Sequence, residues 1–172
     1  MTTTTDLLHD AFGRIREGVA GVLDGIAPAA LTWRADDDAN TVAWLVWHLT
    51  RVQDDHLAEA FGHGQTWLEE GWRDRFDLPL DPSDTGYGHS TADVATVRAT
   101  AELLAGYHEA VVRRSEVDLA SLDAADLERV VDERFDPPVT MAVRLVSVIA
   151  DDLQHVGQAA YVRGLAERAG AR

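Results

Sequence analysis

Two short segments, roughly a hundred residues apart, carry the groups best able to do chemistry. One reads Trp44-Leu45-Val46-Trp47-His48-Leu49, the other Asp151-Asp152-Leu153-Gln154-His155-Val156-Gly157-Gln158. Each sets an imidazole or a carboxylate beside Val, Leu or Trp. Burying such a group without a partner is costly, most of all when it is charged, so a partner has to be found. A divalent cation shared between two helices is one such partner. Asp151 and His155 are four apart, one turn above the other on the same side of a helix. Asp152 and His155, three apart, are nearly as well placed. With His48 they make two neutral imidazoles and one carboxylate, a donor set that suits Zn, Ni, Fe or Mn and leaves positions open for water or substrate. The same spacing also suits a core histidine hydrogen-bonded to a neighbouring acid with no metal at all. His48 joins the other pair only if the fold brings the two helices together.

Other polar residues flank these segments. Asp55, seven after His48, is nearly on the same helical face and suits a carboxylate that orients His48 or His155; a solvated acid near a helix end fits equally. Arg51 is a candidate for substrate contact, with Asp54 or Asp55 as the simpler partner. Gln158 lies one turn beyond His155 and can bond near the site. His56 lies about 80° round the helix from His48, which disfavours it as a fourth ligand. Arg163 reads as a helix-terminal cation. The tryptophans at 44, 47, 67 and 72 read as core, one of them walling the pocket, and His9, His63, His89 and His108 as surface or loop residues.

Four segments carry the period needed to position these groups. The first runs from Asp6 to Asp24, with Leu7, Leu8, Ala11, Ile15, Val19, Val22 and Leu23 on one stripe, stopped by Gly25 and Pro28. The second starts after Asn40 as N-cap and ends at Phe61, before Gly62 and Gly64. The third runs from Ser90 or Thr91 to Val117. The fourth starts at Thr140, after Pro137-Pro138, and reaches Arg168; on it Leu145, Val148, Ile149, Asp152, His155, Val156 and Ala159 share a stripe. A long connection from Gly64 to Ser90 holds Trp67, Trp72, Phe76 and Tyr87, too many aromatics to stand free in solvent, with a short helix expected near Trp67 to Arg73. Another helical turn is expected near Ala124 to Arg129, and no strand-like alternation is sustained. The expectation is one all-α domain over residues 1–172, a four-helix bundle whose long second connection makes helices two and three parallel.

Composition narrows the function. The chain has 172 residues, 30 acidic against 15 basic, a net charge of −15, and no cysteine. It therefore makes no disulfide or zinc-thiolate, and any catalytic thiol comes from elsewhere. Such acidity argues against nucleic acid, whose binding needs a cationic surface, and against an anionic membrane. The start, Met1 to Asp6, lacks the basic and apolar regions of an export signal, and no apolar run nears the roughly 20 residues of a membrane span. The expected location is the cytoplasm. Every basic residue is Arg, which together with the Ala, Val, Asp and Gly content suggests a GC-rich genome.

The segment Thr41 to His56, Thr-Val-Ala-Trp-Leu-Val-Trp-His-Leu-Thr-Arg-Val-Gln-Asp-Asp-His, resembles the second helix of the DinB-like proteins. Asp151-x-x-x-His155-x-Gly157-Gln158, followed by Tyr161-x-Arg163-Gly164, resembles their last helix. The likeness covers most of the chain, helix order and long second connection included. That superfamily contains mycothiol-dependent maleylpyruvate isomerase and the mycothiol and bacillithiol S-transferases. The resemblance implies a crossover four-helix bundle, often a homodimer, though no helix shows a readable exposed heptad seam. It also implies a metal triad of His48, Asp151 and His155. Relatives carry His or Glu where this chain has Asp151, a shorter arm that reaches an ion directly or through a water.

The function implied by the resemblance is a divalent-metal-dependent thiol S-transferase or isomerase, with mycothiol as cosubstrate and a small electrophile as its partner. A GC-rich source fits mycothiol, the thiol of actinobacteria. Two other functions remain open on the residues alone: a non-catalytic, stress-related metal- or ligand-binding bundle, and a metal-dependent hydrolase using bound hydroxide.

Overall fold

The computed structural model describes residues 3–171, and its helices begin and end where short-range chemistry tells them to. The elements are α1 (Thr4–Leu23), α2 (Pro28–Leu31), α3 (Val42–Phe61), α4 (Thr66–Glu69), α5 (Trp72–Phe76), α6 (Thr91–Thr96), α7 (Ala101–Ala120), a 3₁₀ turn (Asp126–Glu128), strands β1 (Val130–Asp132) and β2 (Val139–Thr140), and α8 (Met141–Arg168). Thr3 and Asp6 form a capping box at the start of α1. Thr41, Thr100 and Thr140 each accept a backbone N–H at the start of α3, α7 and α8. The cap of α3 is thus Thr41, one residue later than expected. Gly62 ends α3 at φ 75°, the left-handed conformation that glycine adopts without strain.

The four long helices form a ring in the order α1, α8, α3, α7. Side-chain pairs fix their directions. Thr50 meets His108, Gln53 meets Ser115 and His63 meets Asp118, so α3 and α7 run parallel. His48 lies beside His155 and His56 beside Arg144, so α3 and α8 are antiparallel. Gly18 lies under Val156 and Arg163 bonds the Val22 carbonyl, so α1 and α8 run parallel. This is the all-α crossover bundle that the long second connection predicts. Among the described residues no helix is long and apolar enough to cross a membrane.

Two expectations are corrected. The third helix is broken: Ser90 and Asp93 cap a short α6, Val97 turns extended (ψ 93°) with its side chain buried, and Thr100 restarts the chain as α7. A period of apolar residues survives such a break, because burial of Val94, Val97 and Leu104 is satisfied on either side of it. A small ribbon also forms, β1 pairing antiparallel with β2, too short for alternation to reveal.

Most of the long connection folds down as predicted. Trp67, Trp72 and Phe76 are buried and pack around Tyr107, with ring centroids 5.1–5.8 Å apart. Tyr87 does not; it is 94% exposed.

α3 is buried on nearly every side, so its polar residues must be paired within the bundle. Asp54 accepts the N–H groups of Thr66 (2.8 Å) and Trp67 (2.7 Å) and the Tyr107 hydroxyl (2.8 Å), which caps α4. Arg51, fully buried, donates to the Asp84 carbonyl, the Tyr107 oxygen and Gln65 Oε1, and lies 5.0 Å over the Trp67 ring.

His108, expected at the surface, is buried at the α3–α7 contact. Thr50 gives its only hydroxyl proton to the Val46 carbonyl, so His108 Nδ1 must donate to Thr50 Oγ1. Burial pushes the imidazole down to about 4. An unfolded histidine titrates near 6.5, so between pH 6.5 and 4 the unfolded chain binds a proton that the folded one refuses. Stability therefore falls as pH drops through this window, by about 3 kcal/mol from this residue at pH 4. A His108→Gln protein should lose that part of the acid sensitivity, seen as a smaller gap between its urea midpoints at pH 7 and pH 4.

Candidate metal centre

The ring order of the helices sets His48 on α3 against His155 on α8, with ring centroids 4.7 Å apart and planes at 79°. Asp151, one turn before His155, completes the group. One ligand atom from each of His48, Asp151 and His155 lies within 4.8 Å of the others. His155 Nε2 is 3.6 Å from Asp151 Oδ1, too long for a hydrogen bond. It is close to the ~3.4 Å that separates two atoms each about 2.1 Å from one tetrahedral ion.

The outer nitrogens decide which lone pairs face inward. His48 Nδ1 meets the Thr85 carbonyl, which only accepts, so Nδ1 carries the proton and Nε2 is left bare. His155 Nδ1 meets Gln158 Oε1 at 3.0 Å, with the same result. Two bare nitrogens and a carboxylate therefore face one another, and Asp151 Oδ2 is buried with no hydrogen-bond partner. Three acceptors aimed at one point repel one another; a cation held among them would relieve that repulsion.

The same contacts set how these groups titrate. Burial pushes His48 below its ordinary value, with the Thr85 bond pulling the other way, so the ring is neutral at pH 7. Asp151, a carboxylate neighbour, holds His155 above the usual imidazole range against the effect of burial. Burial would raise Asp151, but His155, His48 and His56 together pull it below the usual carboxylate range. A proton on His155 and a metal ion answer the same electrostatic demand.

A loop from Asp84 to His89 forms the outer wall. Asp84 Oδ1 accepts the Gly86 N–H and the His89 Nε2–H, both at 2.9 Å. His89 Nδ1 accepts from Trp44 Nε1 at 3.0 Å. The Trp44 ring stacks on His48 at 4.6 Å and 13°. Gly86 (φ 95°) runs so close that a Cβ there would sit 2.8 Å from His48 Nδ1 and 3.1 Å from Trp47. Glycine is needed here on both counts, backbone conformation and close approach.

Of the flanking candidates, Gln158 takes the predicted place beside His155. Arg51 does not contact the centre; it is fully buried and held in a network of its own. Asp55 turns to Gln65, which donates at 2.6 Å, and makes no bond to His48 or His155. Asp152, the alternative to Asp151, points into the core, fully buried and unpartnered, and burial keeps its carboxyl well above the usual range. His56 is held by Arg144 instead. His63 bonds Asp118 at 2.9 Å. Arg163 donates to the Gly21 and Val22 carbonyls, capping the end of α1 rather than its own helix.

Sequence reasoning missed Thr85, Gly86 and His89, and placed His89 on the surface. The signal available was the Gly86-Tyr87-Gly88-His89 run, a turn that only close packing explains. Nothing local says which helix it packs on.

Comparison with known proteins places this geometry among relatives. A family model described as mycothiol-S-transferase matches residues 7–167. A crystal structure described as a conserved protein of locus from Enterococcus faecalis is 30% identical, with a TM-score of 0.87, and the alignment covers 95% of this chain and 96% of that one. No curated protein matches the chain.

Proposed function

The chain belongs to the mycothiol S-transferase family, and from that premise we propose that it is a divalent-metal-dependent S-transferase acting on a low-molecular-weight thiol, mycothiol first among them. The observation that carries the reading is the convergence of one ligand atom from each of His48, Asp151 and His155 within 4.8 Å of the others. His48, Asp151 and His155 would hold the ion. A bound dication lowers the thiol's ordinary value of about 8.5 and fixes where the sulfur points.

The chain's own residues do the rest. The Thr85 carbonyl and Gln158 hold the outer nitrogens, which keeps both imidazoles in the ligating tautomer. One carboxylate and two neutral rings leave a dication one unit positive, a charge that a thiolate balances. The stacked Trp44 covers one side of His48 and keeps it neutral by burial. The protein has no cysteine, so the nucleophilic sulfur belongs to the cosubstrate. The sulfur attacks a small electrophile, a carbon–sulfur bond forms, and the electrophile's leaving group departs or its double bond takes up the thiol proton.

The test uses purified protein stripped with chelator and reloaded with zinc, nickel, iron or manganese. Mycothiol and monochlorobimane are then mixed with it. Conjugation should exceed the uncatalysed rate at least about tenfold, stop on adding EDTA and return with metal. Turnover of an ester or amide without any thiol would replace this reading by hydrolysis. Metal binding with no turnover for several thiols would leave a binding protein.

A further inference from the structure

Away from the metal centre, one polar side chain is buried with an oxygen that bonds nothing, and it lines a cavity. The cavity has a volume of about 60 Å³ and lies between α1, α3 and α7, with Phe12, Val112 and Leu119 as its apolar lining. The residue is Gln53 on α3, only 1% exposed. Its amide has one possible orientation. Ser115 gives its only hydroxyl proton to the Val111 carbonyl (2.9 Å), so it must accept from Gln53, and the Gln53 nitrogen is the end that lies 2.8 Å away. Gln53 Oε1 is left as a buried acceptor with no hydrogen-bond partner among the described residues. On α1 the lining includes Gly13, where a Cβ would meet nothing within 4 Å, so no side chain fills the space from that helix. Arg16 and Glu116, both exposed and 3.5 Å apart, form the outer edge.

We propose that this cavity is a binding site for water, a pair of molecules that run in series from Gln53 Oε1 toward the Arg16–Glu116 edge and so tie α3 to α1. Size is the first reason. At the roughly 30 Å³ that a water takes in the liquid, the cavity holds about two, and it falls well short of the roughly 150 Å³ that admits a benzene ring. Polarity is the second. Purely apolar cavities stay dry, but this one contains a buried acceptor whose lost hydration has to be replaced. The direction of the hydrogen bonds is the third. Gln53 presents its oxygen and Ser115 has no proton left to give, so the occupant has to donate. Water does so twice. A protonated amine would also donate, but it would lose its hydration against Phe12, Val112 and Leu119 with no buried carboxylate in the lining to pair with it. A water bridge is nearly as good as a direct hydrogen bond. This one spans a direction that side chains leave to others, because α1 and α3 stand diagonally across the ring. The long-range side-chain bonds at α1 go to α7 and α8: Arg16 to Glu109, and Arg163 to the Gly21 and Val22 carbonyls. The waters add the link to α3.

The site is separate from the metal centre, so its test needs neither metal nor thiol and its failure leaves the proposed function untouched. In a crystal structure of the full chain at about 1.5 Å, two density peaks should occupy the cavity, the first at about 2.5–3.0 Å from Gln53 Oε1. In solution, relaxation dispersion of the water oxygen counts long-lived internal waters. Gln53→Met should lose the signal of about two of them, with helical circular dichroism unchanged. Gly13→Ser brings a hydroxyl donor into the same cavity and should lose about one. Gly21→Ser is the control: a Cβ there also meets nothing, but Gly21 does not line this cavity, so the signal should stay at the wild-type level. A cavity without density, density of a larger molecule, or a Gln53→Met signal equal to wild type would overturn the proposal.

Discussion

A His48→Ala protein should bind zinc at least about 100-fold more weakly than the wild type, and its metal-dependent conjugation should fall with it. Loss of a residue that merely orients a ligand costs roughly 10–100-fold in affinity, and loss of a ligand costs more. His48 is the ligand best prepared for binding: burial keeps it neutral, the Thr85 carbonyl takes its Nδ1–H, and stacking on Trp44 fixes its plane. The substitution also removes a buried ring, at a cost of about 1–3 kcal/mol, which leaves the bundle folded. His89→Gln is the comparison. His89 touches Trp44 and Asp84 but lies outside the ligand set, so its metal affinity should stay within about tenfold of wild type. Competition with a zinc-binding dye reads both. If His48→Ala held zinc as tightly as wild type, the assignment of this centre would fail.

An Asp54→Ala protein should be about 3–5 kcal/mol less stable, the cost of leaving a buried charge and its donors without their partner. The carboxylate satisfies the Thr66 and Trp67 N–H groups and the Tyr107 hydroxyl, and it faces the buried Arg51 guanidinium at 3.6 Å. For a chain of this size the loss corresponds to a Tm roughly 10 °C lower. The effect should reach the metal centre. Arg51 bonds the Asp84 carbonyl, and Asp84 shapes the loop that offers Thr85 to His48. Zinc affinity should therefore drop about tenfold, even though Asp54 is in a separate network. Asp55→Ala is the control: this half-exposed carboxylate has one strong bond, from Gln65, and its loss should cost under about 1 kcal/mol. Equal melting curves for the two variants would show that the Arg51–Asp54 network does not hold the connection.

The contrast between Asp54 and Asp55 marks what could be read from residues alone. Side by side on one helix, they are chemically identical in sequence. Asp55 was the better candidate for the site, because seven residues return it near the face of His48. The structure gives the structural work to Asp54, because the connection from Gly64 folds back over it. Arg51 repeats the lesson. A lone arginine near a candidate site invites a substrate, yet this one is sealed under Trp67 with each of its three nitrogens donating inside the bundle. Asp151 and Asp152 could not be separated by spacing, since offsets of three and four are both one turn. The position of α3 chose between them, sending Asp152 into the core and Asp151 toward His48.

Local sequence determined the elements. A threonine cap, a glycine stop and a 3.6-residue apolar period act within a turn or two, so the ends of α1, α3 and α8 were legible to within about two residues. The triad candidates were legible too, because imidazole and carboxylate on an apolar stripe demand a partner wherever the helix ends up. Tertiary structure alone decided three things: that His48 and His155 face each other, that Thr85 and Gln158 tie down their outer nitrogens, and that Gln53 leaves its side-chain oxygen unpartnered in a cavity lined by Gly13. These depend on how the helices are rotated and ordered in the ring. That rotation is set by the summed packing of residues far apart in the chain, and no window of neighbouring residues contains it.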